Sequence, residues 1–363
     1  MRTRPQLNSC YRHAGTLDRG RLMERGHNEL LIETIGTEPR VVAENGRVRD
    51  FRKVSSVLRG AERSLVEDLV DDVVGSGQSA VRSGRNGAAG KVYIGHPLVG
   101  VDNVVAGVQV LYGTDVSAQA ARTAAFQWEL DIAGGPPRLH LTGDFLDIVE
   151  MPQHERDRSV YGPLDFLGRV ARLPDLVRMW EAIVAARPED SVAGTLMIRT
   201  GAGRPRMLIY AQRYVSTDVG PRLRGICQDI TASADIEQLR IDMLDTAVAS
   251  SAIEAQGMFG IIVDTRWPTT CVLKWLTPYA PGWGHGVSTG QTPGMHPDDI
   301  VRVPGLVEEA IEKGIVRAHV RVRSGLANGW VNANFVARLI DPEVSTTLGL
   351  AMVYPDTTDP VDG

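Results

Sequence analysis

The sequence predicts an α+β protein of three tandem domains, each an antiparallel sheet of about five strands flanked by helices. Three observations lead there. A block of amphipathic helix, breaker and strand run ending in a Gly-containing strand occurs three times. Within each block the apolar spacing changes from helical to alternating. The blocks are about fifty residues long, which taken alone would suit a solenoid. Each is preceded by further structure, however, so the full period is about 110 residues, the size of a domain.

In the first block, Leu65, Val66, Leu69, Val70, Val73 and Val74 share one helical stripe. Ser64 and Glu67 have the spacing of a capping box and Gly75 is the expected stop. Strands are expected at Lys91–Leu98 and Val104–Tyr112, turning through Asp102 and Asn103, with an earlier one at Glu29–Thr34. In the second block, Leu176, Val177, Trp180, Ile183 and Val184 mark the helix and Pro188 breaks it. Strands follow at Gly194–Thr200, Arg206–Val215 and Leu223–Thr231, the first two joined by a hairpin turn at Gly201-Ala202-Gly203. This domain opens at Phe126–Ile132, with early strands at Leu139–Leu141 and Phe145–Val149.

In the third block, Leu306, Val307, Ala310 and Ile311 form the stripe and Gly314 ends it. Val316, Ala318, Val320 and Val322 then alternate with Arg317, His319, Arg321 and Arg323, the mark of a sheet with one buried and one wet face. The domain begins near Gly257–Asp264, and strands at Trp330–Leu339 and Thr346–Tyr354 complete the unit.

The expected boundaries are a disordered extension over 1–26, domains at 27–118, 126–232 and 251–355, a linker helix at 236–250 and a tail at 356–363. The extension is Arg-rich and lacks the apolar region of a secretory signal. Met23 stands just before the first strand, so a downstream translation start is a competing account of it. In the linker helix Ile236, Leu239, Met243 and Ala247 lie about one turn apart and form a short seam. It either packs on a neighbouring domain or serves as a signalling helix that pairs two copies, which leaves a homodimer open.

The 363 residues are 43% hydrophobic and 23% charged, ordinary for a globular chain with several cores. A net charge of −5 with scattered basic residues gives no electrostatic attraction for nucleic acid. No stretch approaches the roughly 18–20 apolar residues of a membrane span. Cys10, Cys227 and Cys271 have neither disulfide-framework nor metal-ligand spacing, so a reducing compartment, the cytoplasm, is expected.

The second and third domains place Leu173-Pro174-Asp175 and His296-Pro297-Asp298-Asp299 ahead of their helices, where proline and carboxylates favour helix initiation. With the strands that follow and the closing Gly225-Ile226-Cys227-Gln228-Asp229-Ile230-Thr231, this resembles the PAS fold. The first domain lacks the proline–acid signal and looks like a reduced GAF or PAS-related domain. The opening Leu30-Leu31-Ile32-Glu33-Thr34-Ile35-Gly36-Thr37-Glu38-Pro39 and the order of the domains resemble an actinobacterial, especially mycobacterial, family of stand-alone GAF–PAS–PAS sensor-like proteins. The resemblance spans His27 to Tyr354. It implies sheets that often enclose a small-molecule pocket, and sensing or protein interaction rather than catalysis. No output domain follows the last strand, so output is expected from an unidentified protein partner.

The candidate chemistry is sparse. Gly84–Lys91 is Gly-rich like a phosphate loop, but its spacing is wrong and Val92 occupies the Ser/Thr position. Gly282-Trp283-Gly284-His285-Gly286 reads as a mobile loop or lid, or as an irregular surface loop around a packed Trp. His285, His296 and Cys271 lack zinc-ligand spacing, so no metal is expected, and His296 reads as a helix cap. His140, Asp144 and Asp147 have no nucleophile signature beside them, so no catalytic residue is assigned. No cofactor is implied. Trp180, Met207 and Tyr210 in the second domain, with Phe259, Trp275, Trp330 and Phe335 in the third, either line apolar ligand cavities or simply pack the cores.

The expected function is therefore a cytoplasmic sensor or regulator that binds a small molecule, a protein partner, or both. A structural interaction module with filled cores is the close alternative, and an enzyme on an α+β scaffold a more distant one.

Overall fold

A computed structural model describes residues 27–84, 90–116, 120–130, 132, 134–267, 270–280, 283, 294–324, 329–340 and 345–355, without the side chains of 236, 239, 240, 242, 245 and 355. Three antiparallel sheets follow one another along the chain. The first contains β1 (His27–Glu33), β2 (Arg40–Glu44), β3 (Arg47–Lys53), β4 (Ala80–Ser83), β5 (Val92–Val99) and β6 (Val105–Gly113), in the order β3-β2-β1-β6-β5-β4. With six strands it is the widest of the three, so the expectation of a reduced first domain is corrected. The hairpin β2–β3, closed through Asn45 and Gly46 at positive φ, is the part that the strand pattern did not reveal.

Two helices, α1 (Val54–Val57) and α2 (Gly60–Ser76), cover one face of this sheet. Helix α2 begins four residues before Ser64, so the expected capping box is not formed; the cap position is Arg59 and makes no side-chain bond. It runs through Gly75 and stops at Gly77, which takes the left-handed conformation suited to glycine. Val66, Leu69, Val70 and Val73 are buried beneath it, while Val74 faces outward.

The second sheet contains β7 (Thr123–Glu129), β8 (Arg138–Leu141), β9 (Ser191–Arg199), β10 (Pro205–Thr217) and β11 (Gly220–Asp229), ordered β8-β7-β11-β10-β9. Between β8 and β9 lie α3 (Gly143–Ile148), α4 (Gln153–Arg156), α5 (Pro163–Leu167) and α6 (Leu173–Val184). The segment Phe145–Val149, expected as a strand, lies in and just after helix α3. Thr142 accepts a capping bond from the Phe145 amide, and burial of Phe145, Leu146, Ile148 and Val149 follows helical spacing rather than alternation.

Helix α7 (Ile236–Glu254), capped by the Asp235 carboxylate, leads into the third domain. There β12 (Phe259–Asp264), β13 (Cys271–Trp275), β14 (Val316–Arg323), β15 (Trp330–Leu339) and β16 (Leu348–Pro355) form a sheet ordered β13-β12-β16-β15-β14. Its helices are α8 (Pro297–Ile300) and α9 (Val303–Lys313). The His296 side chain caps α8 by accepting from the Asp298 amide at 3.2 Å, and Gly314 ends α9 at positive φ. Ile311, expected on the buried stripe of α9, faces outward; Ala310 of that stripe is buried, as is Val303.

The three sheets are stacked. Leu30 and Ile32 on one face of β1 pack under α2, while Leu31 on the other meets Ile209, Ala211 and Ile226 of the second sheet. This approach is close: a Cβ on Gly107 would stand 2.8 Å from Ile226 and from the Ile32 carbonyl. Glu33 receives both arms of Arg213 across the junction, at 3.2 and 3.0 Å. The opposite face of the second sheet packs on α3, α5 and α6 around Trp128, Trp180, Phe145 and Phe166. That same core takes in Ile262, Leu273 and Leu348 from the third sheet. The order of layers is thus helix, sheet, sheet, helices, sheet, helix.

Candidate functional site

The third sheet separates two environments because successive β12 residues point to opposite faces. Ile262 and Asp264 face the second domain. Asp264 is fully buried, accepts the Trp180 indole N–H at 2.6 Å, and is ion-paired with Arg266, whose guanidinium also reaches Glu181 at 2.7 Å. Opposite Ile262, Lys274 on β13 is buried and donates to the Gly168 and Val170 carbonyls at 2.9 and 2.8 Å. Burial lowers its pKa to about 8, with Arg199 adding to the effect. These bonds hold the second and third domains together.

Ile261 and Val263 point the other way, into a cavity of about 530 Å3 between the sheet and α9. This lies within the ~300–1,000 Å3 typical of small-molecule sites. Its walls are mostly aliphatic and aromatic, with Val316, Val320, Ala333, Ala351 and Val353 from the sheet and Leu306, Val307 and Ala310 from α9. Past edge strand β13 the second domain completes the enclosure with Gly134–Pro136, Arg138 and Gly162–Leu164. The cavity therefore belongs to two domains.

Of the aromatic residues singled out in the sequence, Trp275 and Phe335 line this cavity. Trp283, expected on a mobile loop, also lines it, with its ring 5.9 Å from that of Trp275 and its backbone bridged to Ser324. Its companion His285 lies outside the described residues. Phe259 packs edge-on against Trp275 at 6.3 Å without lining the cavity. Trp330 is on the far surface, between the His296 ring and the Arg323 guanidinium. In the second domain Trp180 is fully buried against Trp128 and Trp267 and belongs to the interdomain bond with Asp264. Tyr210 packs over Gly194, and Met207 lies beside Ala171 and Met197.

On helix α7, Met243 packs in that same small cluster, whereas Ile241, Leu244 and Val248 are exposed along one stripe. The side chains of Ile236 and Leu239 lie outside the described residues. Cys271 lines the cavity, and burial pushes its thiol well above the ordinary range. Among the described residues no cluster of His, Cys, Asp or Glu could hold a metal ion, and no helix is long and apolar enough to cross a membrane.

Sequence reasoning missed the share of the second domain in the cavity. Gly134–Arg138 carries no motif, and its position follows from how the domains pack.

Similarity to known proteins begins at the first domain, where the family described as Rv3651-like, N-terminal, matches residues 29–119. That match covers nearly all of the first sheet. The stacked architecture recurs beyond that Rv3651-like segment in the crystal structure of an uncharacterised protein from Mycobacterium tuberculosis. That protein is 21% identical, with a TM-score of 0.66, over 91% of this chain and 96% of the other. The likeness establishes a shared fold. An RNA-binding light-oxygen-voltage receptor aligns over 64% of this chain and 95% of its own, at 10% identity and a TM-score of 0.25. The Escherichia coli DhaR(N)–DhaL complex aligns over 57% and 80%, at 10% and 0.19. At those TM-scores neither likeness bears on fold or function. No curated protein matches the chain in sequence.

Proposed function

We propose that this protein is a sensory or regulatory binding protein, in which the third domain takes up a small apolar molecule and occupancy alters its seating on the second. The observation that carries this reading is the apolar cavity lined from both domains. A ligand in contact with both can bind their alternative arrangements unequally, which is the condition for shifting their populations. Strand β13 provides a physical connection, since Val272 and Trp275 line the cavity while Lys274 grips the end of α5. The resemblance to PAS-type sensors agrees with this assignment. No catalytic step is assigned, because the described lining contains no His, Asp, Glu, Lys or Ser and the burial-raised Cys271 thiol is a poor nucleophile.

The exposed stripe of Ile241, Leu244 and Val248 on α7 favours a second role in docking a protein partner that supplies output. Titration with the neutral fluorescent probe N-phenyl-1-naphthylamine tests the main reading. Saturable binding is expected, along with altered hydrogen exchange in α5, and Ala351→Phe should abolish both by filling the cavity. Absence of binding, or binding unchanged by Ala351→Phe in a folded protein, refutes it.

A further inference from the structure

The face of the third sheet turned away from α9 carries a second surface, separate from the cavity. Arg317, His319, Arg321 and Arg323 of β14 share this face. On β15 the ladder places Asn334 opposite His319, Asn332 opposite Arg321 and Trp330 opposite Arg323. Tyr354 of β16 follows beside Asn334, and Arg338 pairs with Leu350 further along. Continued across the sheet, this is the face whose Ile262 and Lys274 pack on the second domain. The second domain covers that end only: Arg317, His319, Asn334, Arg338 and Tyr354 are all exposed.

Although the whole chain has a net charge of −5, strands β14, β15 and β16 contain four arginines and no carboxylate. Arg321 is held at one corner by Asp298 and Asp299. Arg317, Arg323 and Arg338 have no ion-pair partner among the described residues. Arginines on an edge strand also discourage pairing between sheet edges. That accounts for β14 but not for Arg338, which lies on an inner strand. Nor does it give a role to the side-chain amides of Asn332 and Asn334, which make no hydrogen bond among the described residues. Planar groups stand among the cations. Tyr354 is 41% exposed, and the Arg323 guanidinium lies over the Trp330 ring, 4.0 Å from its centre.

We propose that this face binds single-stranded nucleic acid. Arg317 and Arg338 contact phosphates, while bases stack on Tyr354 and on the Arg323 guanidinium. Asn332 and Asn334 present both donors and acceptors to base edges. A flat sheet face does not enter the groove of a duplex as a helix or ribbon does, whereas the bases of a single strand are free to turn onto it. From Arg317 to Arg323 the strand runs about 20 Å, room for a few nucleotides. An acidic polypeptide would match the arginines; the exposed tyrosine and the two unbonded amides favour bases.

Fluorescence anisotropy tests this, with the full chain titrated into a short labelled oligonucleotide of mixed sequence, made as RNA and as DNA. Saturable binding of one or both is expected, about tenfold tighter than to the same sequence as a duplex. Binding should weaken as salt is raised, and Arg317→Gln combined with Arg338→Gln should reduce the slope of log K against log salt by about 1.4, at about 0.7 for each lost phosphate contact. Tyr354→Ala should weaken binding about fivefold or more and leave that slope unchanged. A thermal melt confirms that each variant is folded, and each should still bind N-phenyl-1-naphthylamine in the cavity. The proposal is overturned if neither single strand binds, if the duplex binds as tightly, or if both folded variants bind as the wild type does. Displacement of the oligonucleotide by poly-glutamate as readily as by unlabelled oligonucleotide overturns it too, and marks a surface for an acidic polypeptide.

Discussion

Lys274 offers the sharpest physical test of how the second and third domains are joined. It is 7% exposed, its ammonium donates to two backbone carbonyls of the second domain, and burial brings its pKa from 10.5 to about 8. Between those values the unfolded chain holds a proton that the folded chain has released, so stability rises with pH across the window. Below pH 8 the charged, desolvated form carries the full penalty; above 10.5 the penalty is gone. At about 1.4 kcal/mol per pH unit, a difference of 2.5 units corresponds to about 3 kcal/mol.

Lys274→Met removes the titrating group and keeps much of the stem's volume. Urea unfolding followed by tryptophan fluorescence, which reports on Trp180 at the same junction, should be run on both proteins from pH 7 to 10.5. A chain of several domains need not unfold in one step, so the transition to compare is the one that exposes Trp180. The stability difference should move towards the wild type as pH rises, by up to about 3 kcal/mol over the window. Tyr93 and Tyr112, both pushed up to about 12 by burial, oppose the trend above pH 10 but do so equally in both proteins. A difference that stays constant with pH would refute the account of Lys274 as a desolvated cation.

Other measurements probe separate parts of the molecule. Asp264→Ala strands the buried Trp180 N–H and removes a partner of Arg266, and should cost about 3 kcal/mol by urea unfolding, with a shift in tryptophan emission. Gly225→Ala places a methyl 2.3 Å from the Phe126 ring, and should lower stability by about 1–3 kcal/mol in a thermal melt. Burial would raise the pKa of Glu150, but hydrogen bonds from Thr200, Arg204 and Arg206 outweigh it and bring it to about 2. The stability this contributes is complete above pH 4.5 and disappears as pH falls towards 2, so Glu150→Gln should flatten the acid limb of a pH–stability profile.

The repeated helix-and-strand block was readable because each helix buries one stripe and most strands bury one face, leaving the two periods distinct. Caps and stops with one local solution were equally legible, as at His296 and Gly314. Phe145–Val149 misled because a short apolar run contains too few residues to separate periods, and the deciding Thr142 cap lies just before it. Ser64 misled because capping-box spacing also arises inside a helix, where its geometry goes unused. Trp275 and Phe335 were found at the cavity because large aromatics attract notice. Arg138 was not, since it belongs to another domain and nothing in the sequence brings it near β13.

The shared interfaces also constrain how such a chain can evolve. Domains strung on linkers can be exchanged, duplicated or lost because each keeps its own core. Here Leu31, Ile209 and Ile226 join the first sheet to the second, and Trp180, Ile262 and Leu348 join the second domain to the third. Cutting between neighbours would expose apolar faces that no single domain can bury. Inheritance of the three as one unit follows from this, as does poor solubility for any excised piece.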